Sequence, residues 1–271
     1  MVDATGPQVS ADWVGREVFA LTRFGGYADT VVVPEGQIFG KPEQLSFEQA
    51  AGIPVNYLTA WQLLVVMGAL SRDETILIHN AGGGVGLAAV DVATHIGARI
   101  LATASPAKHA FLRERGVHEV IDYRGGDWTR EVGRFTAGRG VELVIDPLGG
   151  AHWRKSWSVL RSTGRLGMFG VSTASEKRAG GRLRLLKVGL GMPWFNPVTL
   201  MNQNRSAFGV NLGHLWHEPG KIAAWMQALL EGVNEGWARP HVDRGFALDD
   251  AGAAHQYLEH RRNIGKVVLI P

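Results

Sequence analysis

The stretch Thr75-Ile-Leu-Ile-His-Asn-Ala-Gly-Gly-Gly-Val-Gly86 decides how the rest of this sequence is read. Its apolar start, Ile76-Leu77-Ile78, has β character and stops at a cluster of four glycines. A small-residue helical pattern then runs from Leu87 to Ile96. Ala81, Gly83 and Gly86 occupy the three fixed positions of a G-x-G-x-x-G pattern, with alanine in the first. The spacing has a mechanical reason: the turn must be tight, its backbone must approach a pyrophosphate, and the helix must pack close to the strand. The helix N-terminus then offers free N–H groups and a positive dipole end to phosphates. Ala81, Gly82, Gly83, Gly84 and Val85 are therefore the expected phosphate-facing backbone. A glycine-rich turn often serves only as a turn, but a strand before it and a helix after it favour a dinucleotide site.

Working outward, the pattern alternates. Strands are predicted over 75–80, 99–104, 118–122, 141–146 and 164–169, and helices over 84–96, 107–115, 127–137 and 150–159. Repeated β-α units of this length imply an α/β fold with a doubly wound parallel sheet, whose ligand crevice lies at the carboxyl ends of the strands. Before it, residues 13–20 and 27–33 read as short β runs, too few to close a sheet alone. Ser46-Phe-Glu-Gln49 is a capping box. The helix it starts is expected to break at Pro54-Val55-Asn56, and a second to run from Leu58 to Met67. After the core come a basic, Gly-rich and aromatic insert (171–205), a strand over 207–212 and an amphipathic helix over 220–233 built on Ile222, Trp225, Met226, Leu229 and Leu230. Asp249 or Asp250 is expected to cap a short helix before a last strand, 266–270.

The 271 residues are 45% apolar and include 36 Gly and no Cys. That composition is globular, and it excludes disulfides, thiolate metal sites and a cysteine nucleophile. No apolar run approaches the ~20 residues that span a bilayer, and the start has no signal-peptide pattern. A cytoplasmic protein is expected. Of the 28 basic side chains, five (Lys177, Arg178, Arg182, Arg184, Lys187) fall between residues 177 and 187, leaving 23 against 25 acidic ones. The basicity is a local patch and not a nucleic-acid surface. The histidines show no metal-ligand spacing, so no metal is expected, and His79 reads as a packed core residue. There is no G-x-S-x-G elbow.

Several motifs occur in a fixed order: Phe24-Gly-Gly-Tyr-Ala-Asp-Thr-Val-Val-Val-Pro34, Ala51-Gly-Ile-Pro-Val-Asn-Tyr-Leu-Thr-Ala60, the Asn80–Gly86 turn, Val144-Ile-Asp-Pro-Leu-Gly-Gly150 and Asn263-Ile-Gly-Lys-Val-Val-Leu269. Together they resemble the zinc-independent quinone oxidoreductase branch of the medium-chain dehydrogenases/reductases. The segment from Arg182 to Leu215, with Asn202-Gln-Asn-Arg-Ser206 and Gly209-Val-Asn-Leu-Gly213, looks most like the vesicle amine transport protein subgroup. The resemblance implies a Rossmann domain over 57–235 and part of a GroES-like β domain over 1–56 and 236–271. The sequence is expected to begin partway through that domain, without the family's Asn-containing substrate loop.

An NAD site places an acidic residue at the end of its second strand, about 20 residues past the glycine turn. Here that strand ends Leu101-Ala-Thr-Ala-Ser-Pro-Ala-Lys108, with no carboxylate. Ser105 can donate to a ribose 2′-phosphate and Lys108 can neutralise it, so NADPH is the expected cofactor. The alternative is that Ser105 caps the next helix and Lys108 is solvated. The resemblance adds Tyr123 to the phosphate group and implies that Asn56 and Thr59 line the nicotinamide end of the cleft, the other reading for both being helix capping around Pro54. Leu148 and Gly149 are expected near the cofactor ribose, Phe169, Gly170 and Val171 at the nicotinamide, and Asn263 where the last strand passes the cleft. Arg124 is a weaker candidate, Asp146 either flanks the cofactor ribose or serves as a turn residue, and Lys266 passes the same cleft or is an exposed strand residue. The expected reaction is hydride transfer to a quinone or α,β-unsaturated carbonyl, with Tyr27, Asn56 and Thr59 binding the oxygen that gains charge. The other reading is an NADPH-binding accessory or membrane-associated protein without turnover. The basic insert is read as a solvated loop or lid ahead of a membrane contact anchored by Trp194 and Phe195. By resemblance, strand 207–212 pairs with its symmetry mate in a homodimer.

Overall fold

The computed structural model describes residues 1–172, 189 and 191–271. The five basic side chains between 177 and 187 lie outside the described residues. Two compact units are formed: Met1–Leu58 with Leu212–Pro271, and Thr59–Asn211. The second division falls at Asn211/Leu212, where the sequence reading places it at 235.

In the first unit, β1 (Val18–Ala20) pairs antiparallel with β2 (Ile38–Gly40). The strand expected over 27–33 is absent. Those residues adopt no regular structure, and Val32 is fully exposed. β-branched residues make a strand only where a ladder partner and a covered face exist, and no described strand pairs with them. The capping box forms as expected: Gln49 N–H donates to Ser46 Oγ at 3.2 Å, and Ser46 N–H donates to Gln49 Oε1 at 3.0 Å, opening α1 (Phe47–Ala51). α1 ends at Ala51, ahead of the break expected at Pro54-Val55-Asn56, so Pro54 is not what breaks it. That proline sits in the first turn of α2 (Ile53–Trp61), where its missing N–H costs nothing.

The second unit holds the parallel core. In chain order it contains β3 (Thr75–Ile78), α3 (Gly84–Ile96), β4 (Arg99–Ala104), α4 (His109–Glu114), β5 (Glu119–Asp122), α5 (Trp128–Phe135), β6 (Val141–Asp146), α6 (Ala151–Ser158), β7 (Leu160–Met168), α7 (Pro197–Gln203) and β8 (Ser206–Gly209). The sheet order is β5-β4-β3-β6-β7-β8, and every pairing is parallel. The chain winds outward both ways from β3 and β6, so the direction reverses beside the glycine turn, where such sheets bind ligands. Ile76, Leu77, Ile78, Leu101, Leu143, Val144 and Ile145 are fully buried, as expected for strands covered on both faces. Leu77, Leu101, Ile121, Val144 and Leu166 pack with Trp128 and Val132 of α5. Asp91, buried within α3, is held bidentately by Arg115 at 2.7 and 3.0 Å.

The Asn202–Ser206 motif has a structural role. Asn204 takes a left-handed conformation (φ 49°) that ends α7. Arg205 then donates to the carbonyls of Trp157 (3.0 Å), Leu160 and Arg161 (3.3 Å). Burial pushes the Arg205 guanidinium below its ordinary value. Phe195 packs on Trp157 with ring centroids 5.0 Å apart, while Trp194 is 89% exposed. Only one of the two aromatic residues singled out in the insert therefore faces solvent.

Returning to the first unit, α8 (Pro219–Asn234) buries Ile222, Met226, Leu229 and Val233. A strand not anticipated from sequence, β9 (Val242–Ala247), precedes α9 (Ala251–Glu259) and pairs parallel with β10 (Lys266–Ile270). Asp250 stands at the start of α9 but makes no side-chain cap, so the expected aspartate cap is not formed. Among the described residues, no helix is long and apolar enough to cross a membrane.

Candidate cofactor site at the strand ends

The Thr59–Asn211 unit brings most of the expected cofactor residues to one edge. Ala81–Val85 follow β3, Ser105 and Lys108 follow β4, and Tyr123 follows β5. Leu148 follows β6, and Phe169, Gly170 and Val171 follow β7. All of these strands are parallel, so all of these residues sit at carboxyl ends. Thr59 also belongs to this unit and is buried on α2. Tyr27, Asn56 and Asn263 belong to the other unit. There the Tyr27 hydroxyl lies 3.1 Å from His255 Nε2, the Asn56 amide donates to the Gly52 carbonyl at 3.0 Å, and the Asn263 amide donates to the Gly265 carbonyl at 2.7 Å. Lys266 is half-buried, not an exposed strand residue, and burial lowers the pKa of its amine.

The glycine turn is a cradle that side chains would fill. A Cβ on Gly86 would lie 2.4 Å from the Asn80 carbonyl oxygen and 2.6 Å from Ala81 Cα, and one on Gly83 would lie 2.9 Å from Asn80 Nδ2. Asn80 itself turns the chain with φ 54°. Gly83 occupies the N-cap of α3 with no capping side chain, which leaves the helix N-terminus open to an anion. These features fit a pyrophosphate.

The end of β4 carries no carboxylate. Ser105 precedes a short 3-10 turn (Pro106–Lys108) but its hydroxyl makes no capping bond, which leaves the helix-cap reading without support. Lys108 is only 8% exposed, which overturns the solvated reading. Its stem lies across the glycine turn: a Cβ on Gly82 would come 2.5 Å from Lys108 Cδ and 3.5 Å from its Nζ. Tyr123 stacks with Arg124, whose guanidinium lies 5.5 Å from the ring centroid.

Asp146 is fully buried; its bond to the Leu148 N–H, two residues on, is the expected turn contact, and its other oxygen joins a network the sequence does not reveal. Oδ1 accepts from Leu148 N–H at 2.7 Å, while Oδ2 accepts from Ser156 Oγ–H and from His152 Nδ1–H, both at 2.6 Å. Ser156 Oγ also lies 3.2 Å from His79 Nε2, and His79 Nδ1 lies 3.0 Å from Thr103 Oγ1. Ser156 has one proton, and the shorter contact takes it. His79 must then donate from Nε2 and accept from Thr103 at Nδ1, an assignment made from the network. Burial drives the His79 pKa down to about 3, with Asp146 opposing and His152 assisting. Burial pushes the Asp146 carboxyl up, but the hydrogen bonds from His152 and Ser156 and its attraction to both imidazoles hold it below its ordinary value.

The candidate metal-ligand atoms of His79, Asp146 and His152 lie within 4.8 Å of one another. Both His79 nitrogens and both Asp146 oxygens already hold hydrogen bonds, which an ion bound there would have to displace. Thr103, His152 and Ser156 escaped the sequence reading. A partial signal existed: His152 and Ser156 are four apart on one helix and so share a face.

The loops after β6 and β7 are zipped together. Phe169 N–H donates to the Asp146 carbonyl at 3.4 Å and Ser172 N–H to the Pro147 carbonyl at 2.9 Å. Gly149 (φ 88°) permits this approach, because a Cβ there would meet Val171 Cγ1 at 2.9 Å.

The zinc-binding dehydrogenase family matches residues 115–269. The zebrafish synaptic vesicle membrane protein VAT-1 homolog is 34% identical over 275 residues, covering 99% of this chain and 56% of the relative. The human VAT-1 homolog is 33% identical, with 100% and 69% covered. Human quinone oxidoreductase is 28% identical, with 100% and 77% covered. Among solved structures, the CurK enoyl reductase (TM-score 0.84, 31% identity) covers 99% of this chain and 76% of its own. A mycobacterial protein complexed with NADPH (TM-score 0.84, 30%) covers 100% and 80%. An NAD-dependent alcohol dehydrogenase (TM-score 0.82, 29%) covers 99% and 79%. The chain thus spans little more than half of the zebrafish relative.

Proposed function

Because this chain belongs to the zinc-binding dehydrogenase family, within the medium-chain dehydrogenases/reductases, and carries no cysteine, we propose that it is a zinc-free, NADPH-dependent oxidoreductase. The observation that carries the cofactor choice is the end of β4, where no carboxylate stands and Lys108 lies buried across Gly82. A carboxylate there would repel a 2′-phosphate, while Ser105, Lys108 and Tyr123 attract one. The open N-terminus of α3 and the backbone of Ala81–Val85 receive the pyrophosphate. Leu148, Phe169, Gly170 and Val171 form the wall for the nicotinamide half. The bound cofactor supplies a hydride. Quinones and α,β-unsaturated carbonyls are the substrate class, supported by the quinone oxidoreductase and enoyl reductase likenesses. Thr59, in the same unit as the glycine turn, has a hydroxyl donor suited to the oxygen that gains negative charge.

The test follows NADPH absorbance with a panel of quinones and enones, beside dissociation constants for NADPH and NADH. The parent is expected to prefer NADPH. Lys108→Ala is expected to weaken NADPH by about 10- to 100-fold, the range of one charge-assisted contact, and to leave NADH within about twofold. Equal affinities in the parent would overturn the cofactor choice. Affinity without turnover would leave the accessory reading standing in place of the enzyme.

We also propose a homodimer through β8. Among the described residues β8 is one of the sheet's two edge strands and has no neighbour on its outer side, and such an edge presents a row of ladder groups that a second copy satisfies. Sedimentation equilibrium should report a dimer, and a monomer at every concentration tested would sink this idea.

A further inference from the structure

We infer that His152 is a positioning residue for the nicotinamide half of the cofactor site, acting through Asp146 on the loop Pro147–Gly150. The inference rests on the NADPH reading above. Asp146 holds that loop directly, since its Oδ1 accepts the Leu148 N–H at 2.7 Å. The carboxylate is itself held on Oδ2, by His152 Nδ1–H and Ser156 Oγ–H at 2.6 Å each.

His152 is locked from further sides. Its ring stacks on Trp128 (centroids 5.1 Å apart, planes at 29°) and meets His79 edge-on at 4.5 Å. The network continues through Ser156 and His79 to Thr103. It therefore ties β6, β3 and β4, three neighbouring strands of the sheet. Each strand carries part of the proposed cofactor edge: Leu148 after β6, the glycine turn directly after His79, and Ser105 two residues after Thr103. The zipped β7 loop, with Phe169 and Ser172 bonded to the Asp146 and Pro147 carbonyls, inherits the same anchor. Of the five side chains, Thr103, His79, Asp146 and Ser156 are buried. His152, with its side chain 20% exposed, is the member that can be replaced without opening the core. A loop held by such a chain of oriented donors is preorganised for binding, and loosening it costs affinity where the loop touches the ligand.

The experiment compares His152→Leu with His152→Asn, whose amide keeps a donor close to Nδ1. Two probes are titrated: NADPH, and adenosine 2′,5′-bisphosphate, which carries only the Ser105/Lys108 half. The leucine variant is expected to weaken NADPH about tenfold, equivalent to one strong hydrogen bond, and to leave the bisphosphate within about twofold. The asparagine variant should recover most of the NADPH affinity. General loosening of the fold would weaken both probes alike, and that result overturns the inference, as does unchanged NADPH binding in the leucine variant. A parent that binds neither probe instead brings down the NADPH reading, and the inference with it.

Discussion

Alanine at Gly86 is expected to destabilise the Thr59–Asn211 unit by about 3 kcal/mol and to abolish NADPH binding. The added Cβ would stand 2.4 Å from the Asn80 carbonyl oxygen and 2.6 Å from both Ala81 Cα and the Ala81 carbonyl oxygen. All three are backbone atoms, so no flexible side chain can move aside. Relief requires α3 to back away from β3, which displaces the turn that holds the pyrophosphate. Helix propensity works the other way, since alanine inside a helix is favoured over glycine by about 1 kcal/mol. The steric cost exceeds it. Gly133→Ala is the control, because that glycine lies within α5 and nothing stands within 4 Å of its Cβ position. It should be stabilising by up to about 1 kcal/mol and leave binding unchanged. Urea unfolding with NADPH titration reads both variants. A Gly86→Ala protein as stable as the parent would refute the close-packing account of this turn.

Asp146→Ala should cost about 4 kcal/mol, the range for removing one partner of a buried charged network. Three donors, from Leu148, His152 and Ser156, lose an acceptor that is itself fully buried. The network also has a pH signature. The pKa of His79 is depressed to about 3 in the folded chain, against an unfolded value near 6.5. The unfolded state therefore binds more protons as acidity rises. The stability contributed by neutral His79 is fully present above pH 6.5 and is lost as pH falls from there toward 3. The slope approaches about 1.4 kcal/mol per pH unit for one group. Asp146 follows the same sign at lower pH: its folded pKa is also depressed, so its contribution is lost as pH falls from its unfolded value through the folded one. Denaturant midpoints of the parent should therefore decline between pH 6.5 and 4.5, before most ordinary carboxylates titrate. A flat profile in that window would show that His79 is not buried neutral.

Much of the site was legible because its demands are local. A strand that stops at clustered glycines and restarts as a helix places Ala81–Val85, and the acid-free end of β4 singles out Ser105 and Lys108. The capping box at Ser46 formed because both of its partners lie within three residues. Failures occurred where the outcome depends on distant chain. Residues 27–33 have strand composition but no described ladder partner. Pro54 reads as a breaker and becomes a first-turn residue, since what decides is where the helix starts and not proline itself. β9, polar and interrupted by Gly245, is a strand because β10 lies beside it.

The alternation of strand and helix, the glycine turn and the acid-free end of the second strand are legible in the chain, because each is written in neighbours a few residues apart. The role of Asp146 exists only once the chain is folded. From sequence that residue is a carboxylate at a strand end, near a ligand or in a turn. Its partners come from positions 148, 152 and 156, and the network runs on through residues 79 and 103. Folding brings those groups together around a fully buried carboxylate, which must find partners for both of its oxygens. Packing also separates the two sequence readings of Lys108: its stem is buried across Gly82, which fits the phosphate reading and leaves no place for the solvated one.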